Sequence, residues 1–207
     1  AYREMEEQTE MEELLMKKQS KESKKVEYQD RLSASEKSKI DEEDKFCSSI
    51  GEARSNQEIL CLEATVRWSN IKLILSAVTV ELAEIELALS YKTRNPYSNG
   101  QAMLQFKLAE AKVAHAKDMV LDAGIAERLS EVRIKNALND RDRGICEKRF
   151  ETAHEDHKNA GEYLKIALMV LKASIPDLSE KEGRRNRRSR DHDAESRGGA
   201  KTGGESK

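Results

Sequence analysis

Histidine and glutamate side chains are the first candidates for chemistry in this chain. Glu151 and His154 have the Glu-x-x-His spacing, which places both side chains on one helical face and occurs in di-iron helical bundles. Such a centre needs a second Glu-x-x-His and two further inward carboxylates, and the sequence has no second Glu-x-x-His. We therefore interpret the pair as solvent-exposed and predict no metal site and no other cofactor.

His157 differs from His154 because it interrupts an otherwise apolar pattern. It lies between Ala153 and Ala160 at the three-and-four spacing of a packed helix face. One interpretation is a histidine at the edge of the core, with its ring hydrogen-bonded to a neighbouring polar group. The other is a pH-sensitive packing residue, since imidazole titrates near physiological pH. His115 lies on a secondary apolar stripe, and we interpret it in the first way, as a hydrogen-bonded histidine at the edge of the core.

A cluster of arginines near the C-terminal end is the strongest charge feature of the sequence. It could be a nuclear-import signal or an electrostatic contact with nucleic acid, and the competing interpretation is a solubilising tail. No aromatic residues are interleaved, so stacking on single-stranded nucleic acid is not indicated. The cluster consists of Arg184, Arg185, Arg187, Arg188 and Arg190.

The remaining chemistry-bearing residues do not form a recognisable motif. Cys47, Cys61 and Cys146 are odd in number and lack C-x-x-C spacing, which favours free thiols in a reducing, intracellular compartment over disulfides or zinc. The sequence has no phosphate-binding glycine loop, nucleophile elbow, zincin motif or EF-hand loop. We therefore predict a non-enzymatic protein with no catalytic residues.

The composition indicates which elements must position these residues. Charged residues make up 37% of the chain and aromatic residues 4%, with only two prolines, which favours long helices with solvated outer faces. The net charge of −2 gives no overall bias toward nucleic acid. No apolar run is long enough to span a bilayer and no signal peptide is predicted. The absence of an initiating methionine suggests a fragment of a longer protein.

The segment from Ile59 to Leu89 predicts the central helix. Apolar residues spaced alternately three and four apart form a 3-4 stripe along one face, which predicts packing against another helix. A second apolar line lies on nearly the opposite face, so we expect other helices to cover this helix on two sides. The stripe comprises Cys61, Ala64, Trp68, Ile71, Leu75, Val78, Leu82, Ile85 and Leu89, and the second line comprises Ile59, Val66, Leu73, Val80 and Leu87.

Two further helices follow the central one. The turn around Pro96 and Gly100 predicts an antiparallel hairpin of helices near 50–93 and 99–139. Alanine and larger residues alternate along the next helix, which predicts close packing; they are Ala102, Phe106, Ala109, Val113, Ala116, Val120 and Ala123. A last helix over 143–175 ends before Pro176, and we expect it to cover the second line of the central helix.

The N-terminal segment is highly charged, with sparse apolar residues. It predicts a long, mostly exposed helix over 2–45, with a break near the capping box Ser33–Glu36. The alternatives are a solvated helix touching the bundle along one edge, a coiled-coil arm whose partner is missing, and a disordered segment. Two more capping boxes, Ser49–Glu52 and Ser55–Glu58, predict the start of the central helix.

These patterns predict an all-α fold, an elongated antiparallel bundle of three to four long helices with coiled-coil-like seams. We divide the chain into a charged helical arm (1–48), a bundle core (49–176) and a disordered Arg/Gly/Ser-rich tail (177–207). The predicted function is protein–protein interaction or scaffolding through exposed helical stripes, in the cytoplasm, with homo-oligomerisation left open. One alternative is a nuclear or nucleic-acid-associated protein using the arginine cluster, and a second is a peripheral membrane-binding bundle.

Overall fold

The computed structural model describes residues 2–93 and 98–175, and within these residues all regular structure is helical. Four long helices follow one another: α1 (Tyr2–Ser48), α2 (Glu52–Lys92), α3 (Ser98–Lys135) and α4 (Asp140–Ser174). The predicted all-α bundle is therefore confirmed. The predicted tail over 177–207 lies outside the described residues.

The first helix is continuous, so the predicted break near Ser33 is wrong. The Ser33 hydroxyl donates to the Gln29 carbonyl at 3.2 Å, four residues back in the same helix. Ser23 makes the same bond to Gln19 at 3.1 Å. Because each serine hydroxyl bonds to a carbonyl of its own helix, it does not cap a new one.

The start of α2 also differs from the predicted capping box at Ser49–Glu52. The Ser49 hydroxyl donates to the Phe46 carbonyl at 2.8 Å and so completes the end of α1. The N-cap of α2 is Gly51, which has φ 68° and makes no side-chain capping bond. A positive φ favours glycine because other L residues are strained there.

The helices pack antiparallel, each against its neighbours in sequence. Among the described residues, Cα atoms of different helices approach within 8 Å only between α1 and α2, α2 and α3, and α3 and α4. The antiparallel hairpin of α2 and α3 is confirmed, as shown by the Arg133–Glu63 ion pair at one end and the Gln105–Tyr91 hydrogen bond at the other.

The two sides of α2 are covered by α1 and α3, so the predicted cover by the last helix is wrong. Trp68, on the 3-4 stripe, lies beneath Lys39 of α1, with the ammonium nitrogen 4.7 Å from the ring centroid. On another side, Ser69 and Ser76 face α3. Val66, on the second line, opens into a groove of about 460 Å³ whose lining includes Thr152 of α4. Residues of α3 and α4 form most of its lining, and among the described residues no Cα atom of α4 comes within 8 Å of one in α2.

Lysine stems form much of the α1 face that packs on α2. Half-buried residues recur there at three-and-four spacing, and Lys18 and Lys21 place their ammonium groups on Glu86 and Glu81 of α2. Four methylene groups let lysine cover apolar surface while its charge stays solvated. The face comprises Met11, Leu14, Lys18, Lys21, Lys25, Tyr28, Leu32, Ser35, Lys39, Glu42 and Phe46.

Alanine dominates the contact between α3 and α4. Ala109 and Ala116 of α3 are buried, as are Ala153, Ala160 and Ala167 of α4. Val113, Ala116 and Ala167 form a buried cluster, against which Leu164 and Leu171 pack. The prediction that the alanine-rich line of α3 is core packing is therefore confirmed for its central residues. Small side chains allow the two backbones to approach closely.

Polar pairs connect α2 to α3 at heptad intervals. Ser69 donates to Asp122 at 2.5 Å, and one heptad further along α2 Ser76 is 2.9 Å from Nδ1 of His115. An ion pair at 3.0 Å joins Lys72 to Asp118 between them. Ser69 is only 1% exposed, so its hydrogen bond satisfies a polar group that would otherwise be costly to bury.

Candidate functional site

A carboxylate on α3 that binds two histidines of α4 is the clearest polar cluster in the described part of the chain. Glu127 Oε1 is 2.7 Å from Nδ1 of His154, and Glu127 Oε2 is 2.6 Å from Nδ1 of His157. The two histidines lie three residues apart, one helical turn of α4, so both reach the same carboxylate. We call Glu127, His154 and His157 the carboxylate–histidine cluster.

The His157 ring lies over Gly124 of α3. A Cβ added to Gly124 would stand 3.5 Å from both Cε1 and Nε2 of His157, so the imidazole rests against the α3 backbone. His154 is more exposed, and its ring stacks on Phe150 with the centroids 6.0 Å apart. The two histidines therefore occupy different surroundings: His157 lies at the helix interface, and His154 lies at its solvent edge.

The electrostatics of the cluster favour an ionised carboxylate. Hydrogen bonds from His154 first, and from His157 second, hold the pKa of Glu127 below its ordinary value. An ionised carboxylate accepts both hydrogen bonds, whereas a protonated one loses acceptor capacity. Because the ionised carboxylate can only accept, Nδ1 of each ring is the donor in these two hydrogen bonds.

The cluster opens onto a shallow depression of about 420 Å³, to which Lys158 also contributes. Both Nδ1 atoms are already engaged by separate oxygens of the same carboxylate, an arrangement that joins two helices. Within the described residues, no group of three or more His, Cys, Asp or Glu side chains is arranged to hold a metal ion. The chemistry that this geometry supports is a proton-responsive link between α3 and α4.

Sequence reasoning found His157 but missed Glu127. The Glu-x-x-His pair is also not joined, since His154 bonds to Glu127 and not to Glu151. A signal for Glu127 was present: it continues the line of Phe106, Val113 and Val120 by one more heptad. A charged residue on a packed line requires a polar partner, and the histidine on the packed line of α4 supplies it.

His115 occupies a different environment on the α2–α3 contact. Burial lowers its pKa, and nearby Asp118 partly opposes that shift. Its ring faces Ser76, whose hydroxyl also lies 2.9 Å from the Leu73 carbonyl. His115 is therefore hydrogen-bonded at the edge of the core, the role expected for it.

A second feature is a set of exposed apolar residues that runs from one flank of α4 to its outer side. Tyr163, Ile166, Met169 and Val170 are 39%, 54%, 63% and 49% exposed, respectively. Their spacing places them on one helical face, whereas Ala160 and Ala167 on the other face are buried against α3. We call these four residues the α4 stripe.

The other sequence candidates are not brought into either feature. Arg184, Arg185, Arg187, Arg188 and Arg190 lie outside the described residues, so the nucleic-acid and import hypotheses remain predictions from sequence. Cys47 is exposed, and Cys61 and Cys146 are half-buried; all three are free thiols. Burial raises the pKa of Cys61, which keeps it protonated and unreactive.

Comparison of the chain with family models, curated proteins and solved structures returned no match. Within the described residues, no helix is both long and apolar enough to span a bilayer.

Proposed function

We propose that the chain is a protein-binding helical module that docks an amphipathic partner helix on the α4 stripe. The observation that carries the proposal is the contrast between the two faces of α4. One face buries alanines against α3, and the other leaves the large apolar residues Tyr163, Ile166, Met169 and Val170 in contact with solvent. Contiguous exposed apolar surface on a helix is typical of interaction sites.

The spacing of the stripe defines the shape of the partner. Tyr163, Ile166 and Val170 are spaced as i, i+3 and i+7, which is the ridge that an antiparallel or parallel helix accepts between its own apolar residues. The stripe covers about two turns of helix, so the partner contributes a short amphipathic segment.

Charge beside the stripe defines the flanks of the partner. Lys158, Lys165 and Lys172 recur every seven residues on the side of α4 nearest Met169. The side chains of Lys158 and Lys165 are each 68% exposed, and their ammonium groups also pair with Glu155 and Glu162 of the same helix. Acidic residues along one edge of the partner helix would meet this row of lysines. Such rim charges select the partner and its orientation more than they add affinity.

The proposed docking surface differs from the one expected from the sequence. The apolar residues of α1 were expected to bind a partner, but Leu14, Tyr28 and Leu32 lie on the half-buried face that packs on α2. Deletion of residues 1–45 would therefore expose the face of α2 that α1 covers, and a loss of partner binding after this deletion would not identify a docking site on α1. The outer face of α4 takes the place of the N-terminal arm in the proposal.

A selection experiment tests the proposal with a defined probe. Amphipathic helices of about three heptads with acidic flanks are displayed as a library and selected on the full-length chain. We expect the selected helices to bind the wild type and to lose at least about tenfold in affinity for Ile166→Asp, because a charge is then placed in a desolvated contact.

Ile145→Asp is the matched control. Ile145 lies on the same helix and is 47% exposed, but it is outside the α4 stripe. Equal binding to the wild type and Ile145→Asp supports the proposal. Selected helices that bind Ile166→Asp as well as the wild type would overturn it, since the stripe would then not be their site.

A further inference from the structure

We propose that two copies of this chain exchange their α1 helices, each α1 packing on α2 of the other copy. The first observation is that α1 is separable. Within the described residues its Cα atoms come within 8 Å only of those of α2. Withdrawal of α1 therefore leaves the contacts of α2 with α3, and of α3 with α4, in place. Exchange of an identical element is a low-cost route to a dimer.

The contacts between α1 and α2 do not depend on both helices belonging to one chain. Lys18 pairs with Glu86 at 3.1 Å, and Gln57 donates to Glu42 at 2.7 Å. The α1 helix of a second copy carries the same side chains in the same order, so it reproduces every such contact. What decides between the closed and exchanged forms is the connection between the two helices.

The connection between α1 and α2 is short, and its last residue makes no side-chain capping bond. Only Ser49, Ile50 and Gly51 separate α1 from α2, and Gly51 caps α2 without a side-chain hydrogen bond. Ile50 is 87% exposed in this hairpin. If the three residues became helical, α1 and α2 would join into one long helix that cannot fold back on itself. Short hinge loops are where domain exchange occurs.

The register of the hairpin places a two-fold axis at this connection. The pairs Glu10–Lys92, Lys18–Glu86, Lys21–Glu81 and Glu42–Gln57 all have sequence midpoints within about two residues of Gly51. If two joined α1–α2 helices paired antiparallel in the same register, the two-fold axis relating them would pass close to Gly51. An isologous two-fold contact brings a residue at the axis against its own copy.

Exchange would bury apolar side chains that the hairpin leaves in water. Ile50 lies seven residues before Gln57, and Cys47 lies fourteen before Cys61, so both continue the α2 stripe in a joined helix. Cys47 is exposed in the hairpin, like Ile50. Ile50 lies next to the two-fold axis and would meet Ile50 of the second copy, and burial of this apolar contact favours the exchanged form.

The first test measures mass against concentration by size-exclusion chromatography with light scattering on the full chain. We expect a dimer whose fraction rises with protein concentration. Gly51→Ala should raise the association constant at least about tenfold, because alanine is strained at the positive φ of the hairpin and favoured in a joined helix. Gly144→Ala is the matched control, since an added Cβ there also meets nothing within 4 Å; the dimer fraction should stay unchanged.

The second test distinguishes exchange from side-by-side association. Two chains lacking the native cysteines (Cys47→Ser, Cys61→Ala, Cys146→Ala) carry Glu42→Cys in one and Gln57→Cys in the other. After co-refolding, a short bismaleimide should link the two chains, because residues 42 and 57 are neighbours only across the α1–α2 contact. A chain with Ser20→Cys in place of Glu42→Cys should give no link to the Gln57→Cys chain. Circular dichroism confirms that each variant is helical.

The outcomes separate this proposal from the α4 docking site. A monomer at all concentrations for both the wild type and Gly51→Ala would overturn the exchange, as would a dimer that gives no link between residues 42 and 57. Ile166→Asp should leave the dimer fraction unchanged, because the α4 stripe lies outside the exchanged contact.

Discussion

The contact of α1 with α2 and the contact of α3 with α4 are built on opposite principles. The first uses long lysine side chains, such as Lys18 and Lys21, which bridge to acidic residues of α2. The second uses alanines, of which Ala116 is fully buried and Ala160 is 3% exposed. Long flexible side chains tolerate a change of partner or spacing, whereas interdigitated small residues tolerate very little.

This difference suggests that the α1–α2 contact can be exchanged between copies, whereas the α3–α4 contact is fixed in one register. The α1 helix packs on α2 alone within the described residues, so its exchange disturbs no other contact between helices. The α3–α4 contact instead has Gly124 under His157 and a carboxylate joined to two imidazoles, which together specify one register. A helix held in one register can present a stripe on its outer face in a constant orientation, as the proposed docking site requires.

The largest effect should come from overpacking the alanine contact. Ala116→Leu inserts three carbon atoms where the exposed fraction is 0%, and we expect a loss of about 2–3 kcal/mol in the free energy of unfolding. Urea denaturation followed by circular dichroism measures this loss. Ala114→Leu, on the exposed face of the same helix, should change stability by less than about 0.5 kcal/mol. Equal effects of the two substitutions would contradict the proposed close packing.

An intermediate effect should come from the carboxylate–histidine cluster. Glu127→Gln keeps the shape but removes the charge that both imidazoles bind, so we expect a loss of about 1 kcal/mol near neutral pH. The pKa of Glu127 lies below its ordinary value of 4.5. The stabilisation is therefore fully present above about pH 4.5 and is lost as the pH falls through the lowered pKa.

The measurement for Glu127→Gln is the difference in unfolding free energy between the wild type and the variant as a function of pH. The difference should have its full size above about pH 4.5 and should shrink as the pH falls through the lowered pKa of Glu127. His154→Gln and His157→Gln serve as partners for a double-mutant cycle with Glu127→Gln. Additive effects of these substitutions would show that the cluster does not couple α3 to α4.

The smallest effect should come from improving the lysine contact. Lys25 is half-buried on the α1 face that packs on α2, and Lys25→Leu replaces a charged end with apolar surface. We expect a gain of about 0.5–1 kcal/mol in stability, read from the shift in the urea midpoint. Lys24→Leu, whose side chain is exposed, is the control and should produce no gain. The dimer fraction should not change, because closed and exchanged forms contain the same contact.

Much of the fold could be predicted because helical patterns are local. The heptad lines of α2, the alanine line of α3 and the 3-4 line of α4 predicted three helices, and Pro176 predicted the end of the last one. The predicted starts and ends came within about four residues of the observed ones. The break near Ser33 was predicted wrongly because a serine hydroxyl can either cap a helix or bond within it.

Pairings between helices were less predictable because several partners satisfy the same pattern. An apolar line on α2 indicates that something covers it, but it does not say whether α1 or α4 does so. Apolar patterning also missed the α1 face, because Lys18, Lys21 and Lys39 contribute methylene stems that a count of apolar residues ignores. The candidate site was also only partly predictable. His157 could be identified because it interrupts an apolar line, whereas Glu127 could be identified only once its histidine partners were known.

The sequence by itself determined the helices, their approximate limits and the close packing of the alanine line, because each depends on the spacing of residues along one helix. Only the tertiary structure decided that α1 covers α2, that α4 packs on α3, and that one carboxylate binds two histidines. The physical reason is that these choices depend on distances between residues far apart in sequence. A periodic pattern specifies which face of a helix is buried, but it does not specify the neighbour that buries it.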